Sequence, residues 1–239
     1  MISHKYRCIF VHVPKTAGQS VEAAFLHLHG LSWEKRAPLL LRHNDDPAKG
    51  PERLAHLTAR EYVVCGHLHA DTFSDYFKFA FVRNPWDRLV SEYRYRFEAK
   101  TSFASFVRKS IPVKETFSDF SRHIIPQSDY LLDEHGDYLV DFVGRFETLA
   151  EDFARITARI DLGELPLPHR NLSTHAEKTR KRWPFGGRKH SAASKKRHYS
   201  DYYDAGLRDL VADYYASDIA LFGYQFTSPA RQAETAVQA

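Results

Sequence analysis

Two stretches of this chain share one plan: an apolar run, a polar turn, then a helical pattern. In the first, Cys8 to Val13 (CIFVHV) reads as a buried strand, PKTAG turns, and SVEAAFLHLH continues as a helix that Gly30 is placed to end. In the second, FKFAFV (77–82) reads as a strand, and RNPWDRLVSEYRYRF turns out of it into a helix. Strands that alternate with helices point to a parallel sheet covered on both sides. Three further segments extend the pattern. Tyr62–Cys65 reads as a short buried strand and YLVDFVGRF as another. ETLAEDFARITARI is an amphipathic helix with Leu149, Phe153 and Ile156 on one face. The fold class expected is α/β, with a central, mostly parallel sheet flanked by helices.

At 239 residues and 43% hydrophobic content, the chain has material for one sizeable core, so a single domain over residues 1–226 is expected. A formal charge of +4 suits an anionic ligand without demanding nucleic acid, and the basic and aromatic residues form no recognised nucleic-acid module. Cys8 and Cys65 both fall in apolar runs and read as packing residues rather than a disulfide framework, which fits a reducing compartment. No stretch approaches the ~18 apolar residues of a membrane span, and MISHKYRCIF lacks the apolar core of a signal peptide. The expectation is a soluble, cytoplasmic protein.

The remaining segments are connections and ends. Residues 31–60, broken by Pro38, Pro47, Gly50 and Pro51, read as a connection with some helix, and 101–135 as irregular and mainly helical. Residues 176–198 are basic, contain glycine and are nearly free of aliphatics, so they read as a surface loop or a lid over an anion. Ala205 to Phe222 has helical spacing, and 227–239 reads as a disordered tail.

In open α/β sheets, ligands bind at the carboxyl ends of the strands. Lys15, His67 and Arg83 each follow an expected strand. After the first strand, Gly18 permits close approach of backbone to ligand, Thr16 and Ser20 add hydroxyls, and Lys15 adds a charge at the start of a helix. The familiar triphosphate loop, G-x-x-x-x-G-K-[ST], places its lysine after the glycines; here it comes first. In the second unit, Asn84 is suited to N-cap, Pro85 to the first helical position and Asp87 to the first turn, so the helix start needs no ligand. Arg83 and Ser91 together suit a phosphate dianion; Arg88, three residues before Ser91, is placed to join them or to pair with Glu92, and the structural pairing is the preferred reading. His67, after a glycine, is suited to take a proton near neutral pH. A zinc reading of His67 and His69 lacks further ligands.

The motifs PKTAGQS, GHLH and RNPWDRLVSEY, in this order, resemble those of the carbohydrate sulfotransferases of the membrane-associated type, which include heparan 2-O- and chondroitin 4-O-sulfotransferases. IPQSDYL, FVGRFETLAEDF and LPHRNLS are similar too, and the resemblance spans about residues 8–226. It implies a P-loop-like three-layer fold and transfer of a sulfuryl group from PAPS (3′-phosphoadenosine 5′-phosphosulfate) to a carbohydrate or glycoconjugate hydroxyl, releasing PAP, with no metal. Pro14, Lys15, Thr16, Ala17, Gly18, Gln19 and Ser20 would hold the 5′-phosphosulfate, with Lys15 near the bridging oxygen. Arg83 and Ser91 would hold the 3′-phosphate, and His67 would be the catalytic base.

The chain departs from that pattern in three ways. It lacks the N-terminal anchor of the animal Golgi members, which implies a soluble bacterial-type enzyme. Gln19 stands where threonine is common, and the basic segment is long. Arg182, Arg188, Lys195 and Lys196 are candidates to touch PAPS or an acidic acceptor, and Trp86, Trp183 or Phe185 to stack on adenine. Two other readings stay open: an ATP-dependent P-loop kinase, and a non-catalytic module that binds polyanions.

Overall fold

The structure is a computed structural model and describes residues 1–113, 115, 117–163, 165–168 and 197–228. Its centre is a four-stranded sheet in the order β1 (Ile2–Ser3), β2 (Cys8–Val11), β3 (Phe77–Val82) and β4 (Phe142–Arg145). β1 runs antiparallel to β2, and β2, β3 and β4 are parallel, with Phe10 opposite Phe79 and Phe79 opposite Phe142. The expected α/β architecture with a mostly parallel sheet is therefore present.

Because successive strand residues face opposite sides, the two faces build separate cores. Cys8, Phe10, Phe79 and Phe81 pack with Val21 and Phe25 of helix α1 (Gly18–Leu28) and with Phe153 and Ile156 of helix α8 (Leu149–Arg159). Ile9, Val11, Ala80 and Val82 pack on the other side with Leu54, Tyr62, Tyr130 and Phe222. Gly144 admits the close approach between β3 and β4: a Cβ there would lie 2.5 Å from the Phe81 ring. A third cluster joins helix α4 (Pro85–Arg96) to α5 (Phe103–Ser110) and α9 (Ala205–Tyr214) through Trp86, Leu89, Val90, Phe103, Phe106, Leu207 and Val211.

Three expectations need correction. Tyr62–Cys65 is not a strand but part of a short helix, α2 (Glu61–Val64), with Cys65 at its end. Its residues are buried on one side only: Tyr62 is fully buried and its hydroxyl reaches the Phe10 carbonyl at 3.1 Å, whereas Val64 is 62% exposed. A four-residue apolar run carries too little period to separate the two states. YLVDFVGRF contributes only Phe142–Arg145 to the sheet. Ala205 to Phe222 is two helices, α9 and α10 (Ala216–Phe222), broken where buried Tyr215 donates its hydroxyl to the Ile124 carbonyl at 2.6 Å.

Short helices α3 (Ala70–Asp75), α6 (Asp119–Ile124) and α7 (Ser128–Leu131) fill the connections. Cys8 and Cys65 are both free thiols. Among the described residues, no helix is long and apolar enough to cross a membrane. The basic segment up to Lys196, with Arg182, Trp183, Phe185, Arg188, Lys195 and Lys196, lies outside the described residues, as does the tail from 229.

Candidate functional site

The turn after β2 is bent in a way that ordinary residues resist. Lys15 and Ala17 both take left-handed backbone conformations, with φ of 72° and 69°. Each costs about 1 kcal/mol or more for a residue with a Cβ. Three side chains hold the turn in place. Arg88, 1% exposed, donates from Nε to the Pro14 carbonyl at 3.0 Å and from its two terminal nitrogens to Ile125 and His123 carbonyls at 2.9 and 3.1 Å. Arg83 Nη1 donates to the Lys15 carbonyl at 3.1 Å, and the Thr16 hydroxyl to the Val13 carbonyl at 2.8 Å.

A trans peptide sets each carbonyl opposite the following N–H. Carbonyls drawn to Arg88 and Arg83 therefore leave the Lys15 and Thr16 amides directed to the other side of the turn. Helix α1 begins at Gly18, with Ala17 at its N-cap and no side-chain cap. Its first-turn amides and dipole add to the same positive edge. Arg88 is thus structural, as expected, but its partners are the Pro14 carbonyl and two carbonyls at the end of α6 rather than Glu92. Gly18 has its own steric reason: a Cβ would lie 2.0 Å from Nε2 of His12.

Arg83 lies at the end of β3, stacked over the Phe146 ring at 3.9 Å. Its fork rests on the Asp87 carboxylate, with Nε and Nη2 at 2.9 and 2.7 Å. Asn84 caps α4 by accepting from the Trp86 and Asp87 amides. Asp87, Ser91 and Tyr95 follow at four-residue spacing and share one face of α4. Lys15 Nζ sits 4.0 Å from the centroid of the Tyr95 ring. The structure thus brings Lys15, Arg83 and the Ser91 face of α4 together.

His67 stands apart. It follows a left-handed turn at Gly66, and its Nε2 contacts the Lys49 carbonyl at 2.8 Å. No hydrogen bond or ion pair among the described residues links it to Lys15, Arg83 or Ser91. A carbonyl only accepts, so the His67 Nε2 that faces it carries a proton. Trp86 does not offer a stacking face: it is 4% exposed, and its Nε1 donates to the Arg208 carbonyl at 3.1 Å.

The sequence reading missed a buried polar network beside the turn. His12 Nδ1 pairs with Glu22 at 2.6 Å, His56 Nδ1 with Asp119 at 2.9 Å, and His123 Nδ1 with Glu92 at 2.7 Å. The rings of His12 and His56, and of His56 and His123, meet edge-on at 5.0 Å. Burial pushes His56 and His123 below the usual histidine range, so both are neutral near pH 7. Ligand atoms of His56, Asp119 and His123 lie within 4.8 Å of one another. The Arg96 guanidinium already faces two of them, 2.7 Å from Asp119 Oδ2 and 3.2 Å from His123 Nε2, so the cation of this cluster is an arginine. Only the sequence proximity of His12 to the turn could have signalled this network; its other members are scattered along the chain.

Lys15 is the strongly perturbed cation of the site. Burial lowers its pKa to about 8, with Glu92 opposing and Arg83 and Arg96 reinforcing the shift. The edge therefore combines directed amides, a lysine whose charge is finely balanced and an arginine fork, which suits a ligand carrying more than one anionic group.

The chain is 36% identical over 107 residues to an uncharacterised protein of Archaeoglobus fulgidus, covering 43% of this chain and 82% of that one. It is 26% identical to carbohydrate sulfotransferase 12 of Xenopus laevis, over 72% of this chain and 51% of that protein. It is 27% identical to human carbohydrate sulfotransferase 14, over 64% and 44% respectively. The chain thus spans about half the length of the carbohydrate sulfotransferases it matches. No solved structure matches it. The family model described as "Sulfotransferase family" matches residues 1–225, and on that match the chain belongs to the sulfotransferase family.

Proposed function

We propose that this chain transfers a sulfuryl group from PAPS to a hydroxyl of a carbohydrate or glycoconjugate, acting through one P-loop-like domain over residues 1–226. The observation that carries the reading is the turn at 14–17, whose carbonyls are held by Arg88 and Arg83 so that its amides and Lys15 form one cationic edge. PAPS supplies the sulfuryl group and a 5′-phosphate leaving group. Residues 14–20 bind the 5′ end, and Arg83 and Ser91 take the 3′-phosphate, with Arg83 sharing its fork between ligand and Asp87. His67 accepts the acceptor's hydroxyl proton at Nδ1, and Lys15 meets the charge that grows on the leaving oxygen. Related proteins named carbohydrate sulfotransferases support the sugar hydroxyl as acceptor.

The test is calorimetric titration of PAP and of ATP into the wild type and Arg83→Ala. Magnesium-independent PAP binding, weakened at least tenfold by Arg83→Ala, is expected. Preference for ATP with magnesium would instead favour the kinase reading. His67→Ala should keep PAP affinity and lose turnover, which separates an enzyme from a binding module.

A further inference from the structure

Two segments that carry the family resemblance, IPQSDYL and FVGRFETLAEDF, take no part in the proposed binding scheme. Both lead to Arg83. From the second, Phe146 stacks on its guanidinium at 3.9 Å, and Glu147 Oε1 accepts from the next amide, that of Asn84, at 2.8 Å. From the first comes Gln127, which is fully buried. Its Oε1 accepts from the Arg83 amide at 2.9 Å, and its Nε2 donates to the Arg83 carbonyl at 2.8 Å. One side-chain amide thus takes both main-chain groups of a single residue, as the opposite residue of an antiparallel strand would. The ladder explains the need. The last pair of β3 with β4 is Val82 with Arg145, so the Arg83 N–H and C=O fall beyond the sheet and must find other partners.

Gln127 is itself oriented. Asp218, fully buried on α10, accepts from the Gln127 main-chain amide at 2.8 Å, from Gln127 Nε2 at 3.1 Å and from the Ser128 amide at 2.8 Å. Among the described residues these N–H groups, not a cation, match its carboxylate. Nε2 therefore faces two acceptors, Asp218 and the Arg83 carbonyl, and Oε1 is left for the Arg83 N–H. The amide cannot flip without setting its oxygen against both acceptors.

We propose that Gln127, oriented by Asp218, is a positioning residue for the anion site: it fixes the main chain of Arg83 so that the guanidinium is presented at the edge of the turn. The clamp touches no atom of the guanidinium, so it takes none of the donors that an anion would use. It sets the point from which the side chain leaves β3, and from there Nη1 reaches the Lys15 carbonyl at 3.1 Å. An arginine has many rotamers to lose on binding, and a fixed base limits them to those that reach the ligand. The proposal rests on assigning Arg83 to the anion site.

The experiment is a double-mutant cycle on PAP affinity, measured by calorimetry in the full chain. Gln127→Met keeps a similar volume and removes both bonds. It should weaken PAP binding by ~5-fold or more in the wild type, but by less than ~2-fold where Arg83 is already alanine. A substitution that merely loosened the fold would weaken binding by the same factor in both backgrounds. That result overturns the proposal, as does unaltered affinity in Gln127→Met alone. Amide hydrogen exchange, read by NMR, tests the clamp without any ligand. Exchange at Arg83 should accelerate in Gln127→Met by ~10-fold beyond the change at residues 79–82, which report overall stability. An acceleration no greater than theirs is fatal. If Gln127→Met does not fold, the wild type decides: its Arg83 amide should exchange as slowly as those of residues 79–82, and fast exchange refutes the clamp. A wild type that binds no PAP would sink the sulfotransferase reading, while the exchange result still decides whether Gln127 holds Arg83.

Discussion

Replacing Gly18 by alanine sets two opposed effects against each other. Gly18 is the first residue of α1, and its backbone needs no glycine-only conformation. Helix propensity alone would make alanine stabilising by at most ~1 kcal/mol. The new methyl, however, would lie 2.0 Å from His12 Nε2 and 2.1 Å from its Cδ2. The imidazole is not free to swing away. Its Nδ1 pairs with buried Glu22 at 2.6 Å, one face stacks on Phe10 at 5.4 Å and its edge meets His56 at 5.0 Å. Overpacking of a fixed core group costs ~1–3 kcal/mol, and a displaced His12 would also strand the Glu22 carboxylate. The net expectation is destabilisation of ~1–3 kcal/mol, or a fall in melting temperature of several degrees at ~2–4 °C per kcal/mol for a chain of this size. Urea denaturation followed by circular dichroism measures it, and the double variant Gly18→Ala/His12→Ala should recover at least ~1 kcal/mol relative to additivity. A midpoint equal to or above wild type for Gly18→Ala would refute the claim that His12 is locked beneath the turn.

Further predictions address the turn and its charges. Arg88→Met removes three bonds to carbonyls and should cost ~3–5 kcal/mol, with PAP affinity falling even where the fold persists; unaltered stability would show that the turn holds itself. Arg83→Lys should fail to restore PAP binding in the calorimeter, because a point charge cannot reproduce the fork now seen on Asp87. Lys15 carries two opposite pH dependences. Its pKa is about 8 when folded, below the ordinary lysine value, so between pH ~8 and ~10.4 the unfolded chain binds the extra proton. Stability contributed by this group should therefore rise with pH in that window while PAP affinity falls. Comparing denaturation of wild type and Lys15→Met across the window isolates it, and parallel curves would contradict the assignment. Tyr215→Phe loses the hydroxyl bond to Ile124 and should cost ~1 kcal/mol without changing PAP affinity, read by denaturation and calorimetry.

Local pattern carried much of the architecture. The strands Cys8–Val11 and Phe77–Val82 and their following helices were legible because each apolar run is buried on both faces and each helix start bears its own chemistry, such as the Asn84 cap. Tyr62–Cys65 was misread because one buried tyrosine in a short apolar run fits either state, and the hydroxyl bond that anchors it comes from a residue 52 positions away. The same limit applied to the site. Lys15, Arg83 and Ser91 stood out through their places after strands and along a helix. Arg88 was read against its helical neighbour Glu92, whereas its true partners are carbonyls 35 to 74 residues distant.

The sequence by itself determined the two strand–turn–helix units, the order in which they come, and therefore the parallel sheet that places Lys15 and Arg83 at neighbouring strand ends. Those features follow from contacts within a few residues, where periodicity and capping act. Only the tertiary structure decided that Arg88 bends the turn, that His12 forbids a side chain at Gly18, and that Glu92, His123, Asp119 and Arg96 lie together in one buried network. Burial makes the difference: away from water, charges and hydrogen-bond donors must find one another across the chain, and their pairing is set by the packing of whole elements rather than by spacing along the sequence.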